Sequence, residues 1–202
     1  MLSVTQLACS RGERRLFSDL AFDIEAGTWL HVTGANGCGK TTLLRALVGL
    51  SAPDAGQVRW CGVPVRECAE AYRRALVFLG HPVALKDELT PLENLRLGAA
   101  IDGLPVSEAQ ALAALERLGM RSRADLPARV LSAGQKRRVL LARLLLREAP
   151  LWVLDEPFTA LDAGGVALAA ALLGEHLAAG GMAVVTSHQA VPVANGREVV
   201  LS

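Results

Sequence analysis

The sequence lacks an excess of charge of either sign and lacks any long apolar segment. Its 202 residues include 21 Lys and Arg against 20 Asp and Glu, which gives a formal net charge of +1. Because the chain has no large excess of positive charge, we do not expect nucleic acid as a partner. Two charge-free segments near the C-terminus, residues 163–174 and 177–188, are 12 residues each and are interrupted by Gly. A membrane-spanning helix needs roughly 18 or more apolar residues, so none is predicted.

Cysteine is scarce, and its spacing does not match a metal site. The four cysteines are Cys9, Cys38, Cys61 and Cys68. A chain of this length is not a small disulfide-stapled domain, so we expect reduced thiols in a cytosolic protein. The first residues, MLSVTQLACSRGERR, contain no basic segment followed by an apolar one, which predicts that no signal peptide is present. No internal repeat or low-complexity linker is found.

Strands and helices alternate at both ends of the chain, and a helical block lies between them. Alternating residues predict strands at 1–8 and 19–24, joined by the polar turn SRGERR. A strand over Thr28–Thr33 then precedes a Gly-rich loop and a helix that ends near Gly49. An apolar run at 75–80 is short enough for a buried strand.

The pattern after this strand becomes helical up to about residue 146, with three separate helices. It returns to strands at 151–155, 182–187 and 198–202, with a helix at 164–180. This order predicts an α/β fold with a mainly parallel sheet and an inserted α-helical lobe. We expect one domain over 1–202, with 1–81 and 147–202 as its core and 82–146 as its helical subdomain.

The stretch GANGCGKT, residues 34–41, matches the phosphate-loop pattern G-x-x-x-x-G-K-[ST]. It follows an apolar strand and opens a helix, as the mechanism of phosphate binding requires. The glycines allow successive backbone N–H groups to turn inward around phosphates. Lys40 is expected to reach the β- and γ-phosphates, and the Thr41 hydroxyl is expected to bind Mg²⁺. The stretch therefore predicts a nucleotide site.

Two carboxylates follow the apolar run LWVL, in LWVLDEP. Asp155 ends a predicted buried strand, and ligands of open parallel sheets bind at that edge. We expect Asp155 to orient Mg²⁺ and Glu156 to be the general base for the attacking water. The stretch TSH ends a second apolar run, which places His188 at the same edge, where it could contact the γ-phosphate.

The stretch LSAGQKRR, residues 131–138, predicts a second anion site. Ser132 and Gln135 have the spacing of a capping box, so a helix begins here. A helix start favours anions, yet one phosphate loop already suffices for one nucleotide. We therefore predict that two copies of the chain pair head to tail around a two-fold axis, so that each Ser132 turn faces the ATP of the other copy.

These motifs, in the order GANGCGKTT, LSAGQ, LWVLDEP, ALD and TSH, resemble the nucleotide-binding subunits of ABC transporters, and the resemblance covers essentially the whole chain. GHPVALKDELTPLENL and LDEPFTALD further resemble the ATP-binding subunits of bacterial cytochrome c maturation (haem exporter) complexes. The resemblance implies a P-loop NTPase of the ABC ATPase type, with an antiparallel β subdomain beside the parallel core. Its implied ligands are ATP and Mg²⁺.

The resemblance also assigns roles to individual residues. Ser132, Gly134 and Gln135 would face the ATP of the partner subunit. Asp162 would belong to a loop between subunits, and His188 would be the switch histidine. The residues implied to bind ATP and Mg²⁺ are Gly34, Ala35, Asn36, Gly37, Cys38, Gly39, Lys40, Thr41 and Thr42.

Three positions depart from the family pattern. His81 stands where most of the superfamily has a Gln that contacts the metal, and its charge can vary with pH. The aromatic residue that usually stacks on adenine is absent, and Arg11 lies about where it would be, either as a stacking guanidinium or as a solvated turn charge. In the segment LSAGQ, residues 131–135, here called the signature, Ala133 replaces the first glycine of the family pattern, which a helix tolerates.

The implied partners are a second ATPase subunit and integral membrane transporter subunits at the cytoplasmic face of the inner membrane. A haem-handling chaperone system is a further implied partner, since ATP use could drive haem export or chaperone release. Two alternatives remain at the level of sequence. One is the ATPase of another ABC transporter, for lipoprotein release or solute transport. The other is a non-transport assembly or nucleic-acid ATPase of the same superfamily.

Overall fold

The computed structural model describes residues 1–81 and 84–201. The chain forms two compact units. The first, here called the sheet unit, comprises Met1–Phe78, Ala149–Glu156 and Leu173–Ser202. The second, the helical unit, comprises Leu79–Glu148 and Pro157–Leu172. Pro82 and Val83, at the predicted start of the helical subdomain, and Ser202, at the end of the last predicted strand, lie outside the described residues.

The described residues form nine strands and six α-helices, with short 3-10 turns between some of them. The strands are β1 (Leu2–Arg11), β2 (Arg14–Ile24), β3 (Trp29–Gly34), β4 (Ala55–Trp60), β5 (Val63–Pro64), β6 (Leu76–Leu79), β7 (Leu151–Asp155), β8 (Met182–Thr186) and β9 (Gly196–Leu201). The helices are α1 (Lys40–Leu47), α2 (Ala69–Ala75), α3 (Pro91–Ile101), α4 (Glu108–Arg117), α5 (Ala133–Ala142) and α6 (Ala163–Ala178). No described helix is both long and apolar enough to cross a membrane.

The sheet unit contains an antiparallel sheet in the strand order β2-β1-β4-β5. Its first hairpin is longer than predicted, because Arg11 pairs with Arg14 and leaves only a two-residue turn. Gly12 adopts φ +62° there, a left-handed conformation that glycine accepts without strain. The polar residues assigned to a loop are therefore the exposed ends of two strands. The sequence does not predict these strand ends, because neither face of the hairpin is apolar there and apolar and polar residues therefore do not alternate.

The second sheet has the order β6-β7-β8-β3-β9, and β3 lies parallel to both β8 and β9. Strand β7 is also parallel to β8, with Asp155 opposite Thr186. Val32 of β3 lies opposite the same Thr186. Because parallel strands end at a common edge, the residues that follow β3, β7 and β8 meet there. This confirms the predicted parallel core.

One apolar cluster packs the two sheets and α1 together. Leu43, Leu44 and Leu47 of α1 are fully buried in it. Burying one such side chain stabilises the fold by about 1.5–3 kcal/mol. Helix α1 begins at the phosphate loop, so this packing anchors the loop to the core.

Helix α2 was not expected from the sequence. It has seven residues and a single buried side chain, Tyr72, so its pattern carries no helical periodicity. The Tyr72 hydroxyl donates to the Leu47 carbonyl oxygen at 2.9 Å, and its ring lies 5.6 Å from that of Trp60. Tertiary contacts, rather than local propensity, therefore hold this helix.

The helical unit contains three helices that each begin with a capping box. In α3 and α4 the pairs are Thr90 with Glu93 and Ser107 with Gln110. Each such cap contributes about 1 kcal/mol. The segment before α3 is fixed by Asn94, whose side chain accepts from the Lys86 N–H and donates to its carbonyl oxygen.

Candidate functional site

The loop between β3 and α1 has a shape that only glycine permits at its first position. Gly34 has φ +140°, and a Cβ there would overlap the Leu201 carbonyl oxygen and lie 2.7 Å from Cys38 Sγ. Gly37 and Gly39 have φ values of +81° and +110°. The loop therefore turns its backbone around a concave space, as the sequence pattern predicted.

Lys40 folds back over this loop. Its Nζ donates to the Gly34 carbonyl oxygen at 2.7 Å and to that of Ala35 at 3.4 Å. Lys40 is also the first residue of α1, whose N-cap, Gly39, offers no side-chain acceptor to the free N–H groups. An ammonium group and a helix start thus lie together, and both favour an anionic ligand such as a phosphate.

Asp155 is buried at the end of β7, and both of its oxygens accept hydrogen bonds. The Thr41 hydroxyl donates to Oδ2 at 2.9 Å, and the Thr186 hydroxyl donates to Oδ1 at 2.8 Å. Thr186 also accepts from the backbone N–H of Glu156 at 2.9 Å. Sequence reasoning gave Thr186 no role, although its place at the end of a buried strand beside β7 was a usable signal. Thr186 therefore helps to orient the Asp155 carboxylate and the backbone that carries Glu156.

Thr41 and Asp155 fit the coordination chemistry of Mg²⁺. Both offer hard oxygen ligands, and their contact shows that they reach the same point. Among residues 1–81 and 84–201, no group of three or more His, Cys, Asp or Glu side chains could hold a metal by itself. Proteins usually bind Mg²⁺ through one or two side chains together with substrate phosphates and water, and Thr41 and Asp155 are two such side chains.

Glu156 directs a largely buried carboxylate toward His188. Its Oε1 lies 3.4 Å from His188 Nε2, and the two side chains are 11% and 55% exposed. This oxygen is buried and accepts no hydrogen bond within the described part of the chain, and a buried acceptor without a partner is typical of a functional position. Glu156 has φ +53°, a conformation that costs a non-glycine residue about 1–2 kcal/mol. Such strain is typical of functional positions.

The capping box predicted at LSAGQ is confirmed. Ser132 Oγ accepts from the Gln135 N–H at 3.2 Å, and Gln135 Oε1 accepts from the Ser132 N–H at 3.0 Å. Ser132, Gly134 and Gln135 line an open cleft of about 370 Å³ in the helical unit, together with Asp162, here called the signature cleft. The structure therefore brings the signature residues to the Asp162 loop.

His81 and Arg11 are placed by the structure without a contact that tests their predicted roles. The His81 side chain is exposed, and its carbonyl oxygen accepts from Arg137 Nη2 at 3.1 Å. Arg11 ends β1 opposite Arg14 and is exposed. Metal contact by His81 and nucleotide stacking by Arg11 stay predictions.

Comparison with known proteins decides the family. The family model described as "ABC transporter" matches residues 17–159. The chain belongs to the ABC transporter family. This ABC protein is 50% identical over 196 residues to the cytochrome c biogenesis ATP-binding export protein CcmA of Dechloromonas aromatica, and the match covers 97% of this chain and 96% of that one.

Solved structures agree with this assignment. A putative ABC transporter ATP-binding protein from Pyrococcus furiosus has a TM-score of 0.86 at 25% identity, covering 99% of this chain and 96% of that one. A dimeric bacterial ABC transporter cassette has a TM-score of 0.85 at 26% identity, covering 100% and 94%. The predicted ABC ATPase fold is confirmed, and the protein is an ATP-hydrolysing ABC subunit.

Proposed function

We propose that this protein is the ATPase subunit of a membrane ABC transporter complex for cytochrome c biogenesis. It would couple ATP hydrolysis to haem export or to the release of a haem-loaded chaperone. The observation that carries the ATPase assignment is the chain of contacts at one sheet edge, from Thr41 through Asp155 and Thr186 to Glu156. The cytochrome c assignment rests on the 50% identity to the cytochrome c biogenesis ATP-binding export protein CcmA of Dechloromonas aromatica.

Each residue of the site has a defined task in this proposal. Lys40 and the N–H groups of residues 34–42 bind and orient the phosphates of ATP. Thr41 and Asp155 hold Mg²⁺, which when bound neutralises charge on the phosphate oxygens. Glu156 Oε1 accepts a proton from the attacking water. His188, 3.4 Å from that oxygen, is placed to orient the water and the γ-phosphate.

Two copies of the chain would form the working ATPase. The first turn of α5 begins at Ser132, and its capping box provides acceptors for the N–H groups of Ser132 and Gln135. The other N–H groups of a first helical turn have no acceptor within the helix. We propose that these groups, with Gly134 and Gln135, bind the ATP held by the phosphate loop of a second copy. The dimeric state of a similar cassette supports this arrangement. ATP would then join the copies, and hydrolysis would release them.

The complex would lie at the cytoplasmic face of the inner membrane. We propose that the helical subdomain, 82–146, receives a cytoplasmic segment of an integral membrane subunit. The exposed apolar side chains Leu97, Ile101 and Leu104 in this part of the chain support a protein partner. Membrane attachment would therefore come through the partner subunits.

The decisive experiment is a haem-stained gel of membrane proteins from a deletion strain. The strain is complemented with wild type, with Lys40→Ala or with Glu156→Gln. Covalent c-type cytochromes should be absent from the deletion strain and should return only with wild type. Unchanged cytochromes in the deletion strain would contradict the cytochrome c assignment and leave an ABC ATPase of another transporter.

The purified variants separate binding from hydrolysis. Glu156→Gln should bind ATP and pair stably but hydrolyse about 10²–10⁴-fold more slowly, the usual contribution of a general base. Rapid turnover by this variant would remove Glu156 from that role. Ser132→Arg should bind ATP as a monomer and fail to pair, and pairing by this variant would contradict the head-to-tail arrangement.

A further inference from the structure

Three consecutive basic residues follow the signature turn in α5, and the nucleotide site does not use them. Each contacts a different segment of the helical unit. Lys136 Nζ bonds Asp87 at 2.6 Å, and Arg137 Nη2 donates to the His81 carbonyl oxygen at 3.1 Å. Arg138 Nη2 bonds Asp162 Oδ1. The contact between Arg138 and Asp162 differs from the other two, because Asp162 lies on the loop 160–162, which also lines the signature cleft.

Arg138 and Gly134 lie one helical turn apart on the same face of α5. At Gly134 the loop approaches so closely that a Cβ would lie 2.5 Å from the Ala160 carbonyl oxygen. Ala160 itself adopts φ +65°, a left-handed conformation that is uncommon for a residue other than glycine. The loop therefore meets α5 at two points, by backbone proximity at Gly134 and by an ion pair at Arg138.

Asp162 is fixed from the other side by its own helix. The Gly165 N–H donates to Asp162 Oδ1 at 2.8 Å, which ties the carboxylate to the first turn of α6. This bond, followed by the Arg138 guanidinium, holds the pKa of the Asp162 carboxyl below its usual value. Any aspartate carboxyl is ionised at neutral pH, and the lowered pKa extends the bond between Asp162 and Arg138 to more acidic pH.

We propose that Arg138 is a positioning residue for ATP hydrolysis. Through Asp162 it holds the loop 160–162 in one fixed position on the signature helix, so that Ser132 and the loop present a single surface to the second copy. This inference rests on the proposed function, because the paired ATP site gives the surface its ligand. The side chains of Arg138 and Asp162 are 20% and 72% exposed. An ion pair this exposed contributes little to folding, so its role can be tested apart from stability.

The test compares Arg138→Gln, Asp162→Asn and the double variant in the full-length chain, purified with its membrane partners. Lys136→Gln is the matched control, since it removes an ion pair of α5 that does not touch the loop. Steady-state kcat and KM for ATP are measured, together with the thermal unfolding midpoint. A small displacement of a catalytic surface can cost about 10²-fold, so we expect kcat to fall about tenfold or more in both single variants. KM should change less than about twofold, because each copy's own phosphate loop is untouched.

The double variant should be no slower than either single variant, since both remove the same contact. The unfolding midpoint should match that of Lys136→Gln. Additive losses in the double variant, or an Arg138→Gln enzyme as active as Lys136→Gln, would overturn the inference while leaving the proposed function intact. Wild-type protein that neither hydrolyses ATP nor pairs would overturn the proposed function itself.

Discussion

Removal of the Thr186 hydroxyl tests whether the contacts at the carboxyl end of the parallel sheet hold Asp155 and Glu156 in position for catalysis. The Thr186 side chain is fully buried and makes two hydrogen bonds, one to Asp155 Oδ1 and one from the Glu156 N–H. Thr186→Val keeps the shape of the side chain but removes both bonds. Each buried polar group left without a partner costs about 1–3 kcal/mol, so the variant should lose about 2–6 kcal/mol of unfolding free energy.

This loss has a measurable size in a chain of this length. One kcal/mol lowers the thermal midpoint by about 2–4 °C, which predicts a fall of about 4–24 °C. The kcat for ATP should fall at least about tenfold, because Asp155 and Glu156 both lose their orientation. Thr186→Ser is the matched control, since it keeps the hydroxyl and loses only a methyl group, at about 1 kcal/mol. Both variants are assayed by calorimetry and by phosphate release. Equal midpoints and equal kcat values for the two would refute the reasoning.

Three further predictions follow from single contacts. Gly34→Ala should abolish ATP binding in a filter assay, because its Cβ would overlap the Leu201 carbonyl oxygen; measurable affinity near that of wild type would contradict the loop geometry. Ser132→Ala and Ser107→Ala each remove a helix cap and should each lower the unfolding free energy measured in urea by about 1 kcal/mol. Only Ser132→Ala should slow ATP hydrolysis; equal hydrolysis rates for the two variants would contradict a role of Ser132 in catalysis. Burial lowers the pKa of His176 despite its bond to the Met182 carbonyl oxygen, so the unfolded chain binds more protons than the folded one as pH falls below about 6.5. His176 stacks on Trp152, and His176→Phe keeps an aromatic ring there but cannot titrate. Wild type should therefore lose more stability between pH 7.5 and 5.5 than this variant; parallel losses would show that His176 does not titrate in this range.

Contiguous motifs made most of the site predictable. The phosphate loop and the Asp155–Glu156 pair are read from single stretches, because a strand end and a glycine pattern fix their geometry locally. The capping box at Ser132 is equally local. Thr186 was missed because its role depends on the register of β7 and β8, which brings it opposite Asp155.

The rest of the fold depended on contacts between distant residues. Helix α2 has no periodic pattern and is held by Tyr72, whose partner Leu47 lies 25 residues earlier. Arg138 and Asp162 are 24 residues apart, and an exposed ion pair leaves no signal in composition or spacing. The path of the chain creates both contacts. The extension of the first hairpin to Arg11 and Arg14 likewise depends on the pairing of β1 with β2, which the sequence pattern does not show.

The shared core behind α1 also bears on how the sheet unit unfolds. The helix that begins at Lys40 buries three leucines among side chains of both sheets. Amide protons of α1 should therefore exchange with solvent only when the cluster opens, at a free energy close to that of global unfolding. A ligand held at the loop would slow exchange in strands that it never touches, β4 among them, since binding stabilises the whole cooperative unit. Hydrogen exchange across the entire sheet unit can thus report occupancy of its phosphate loop.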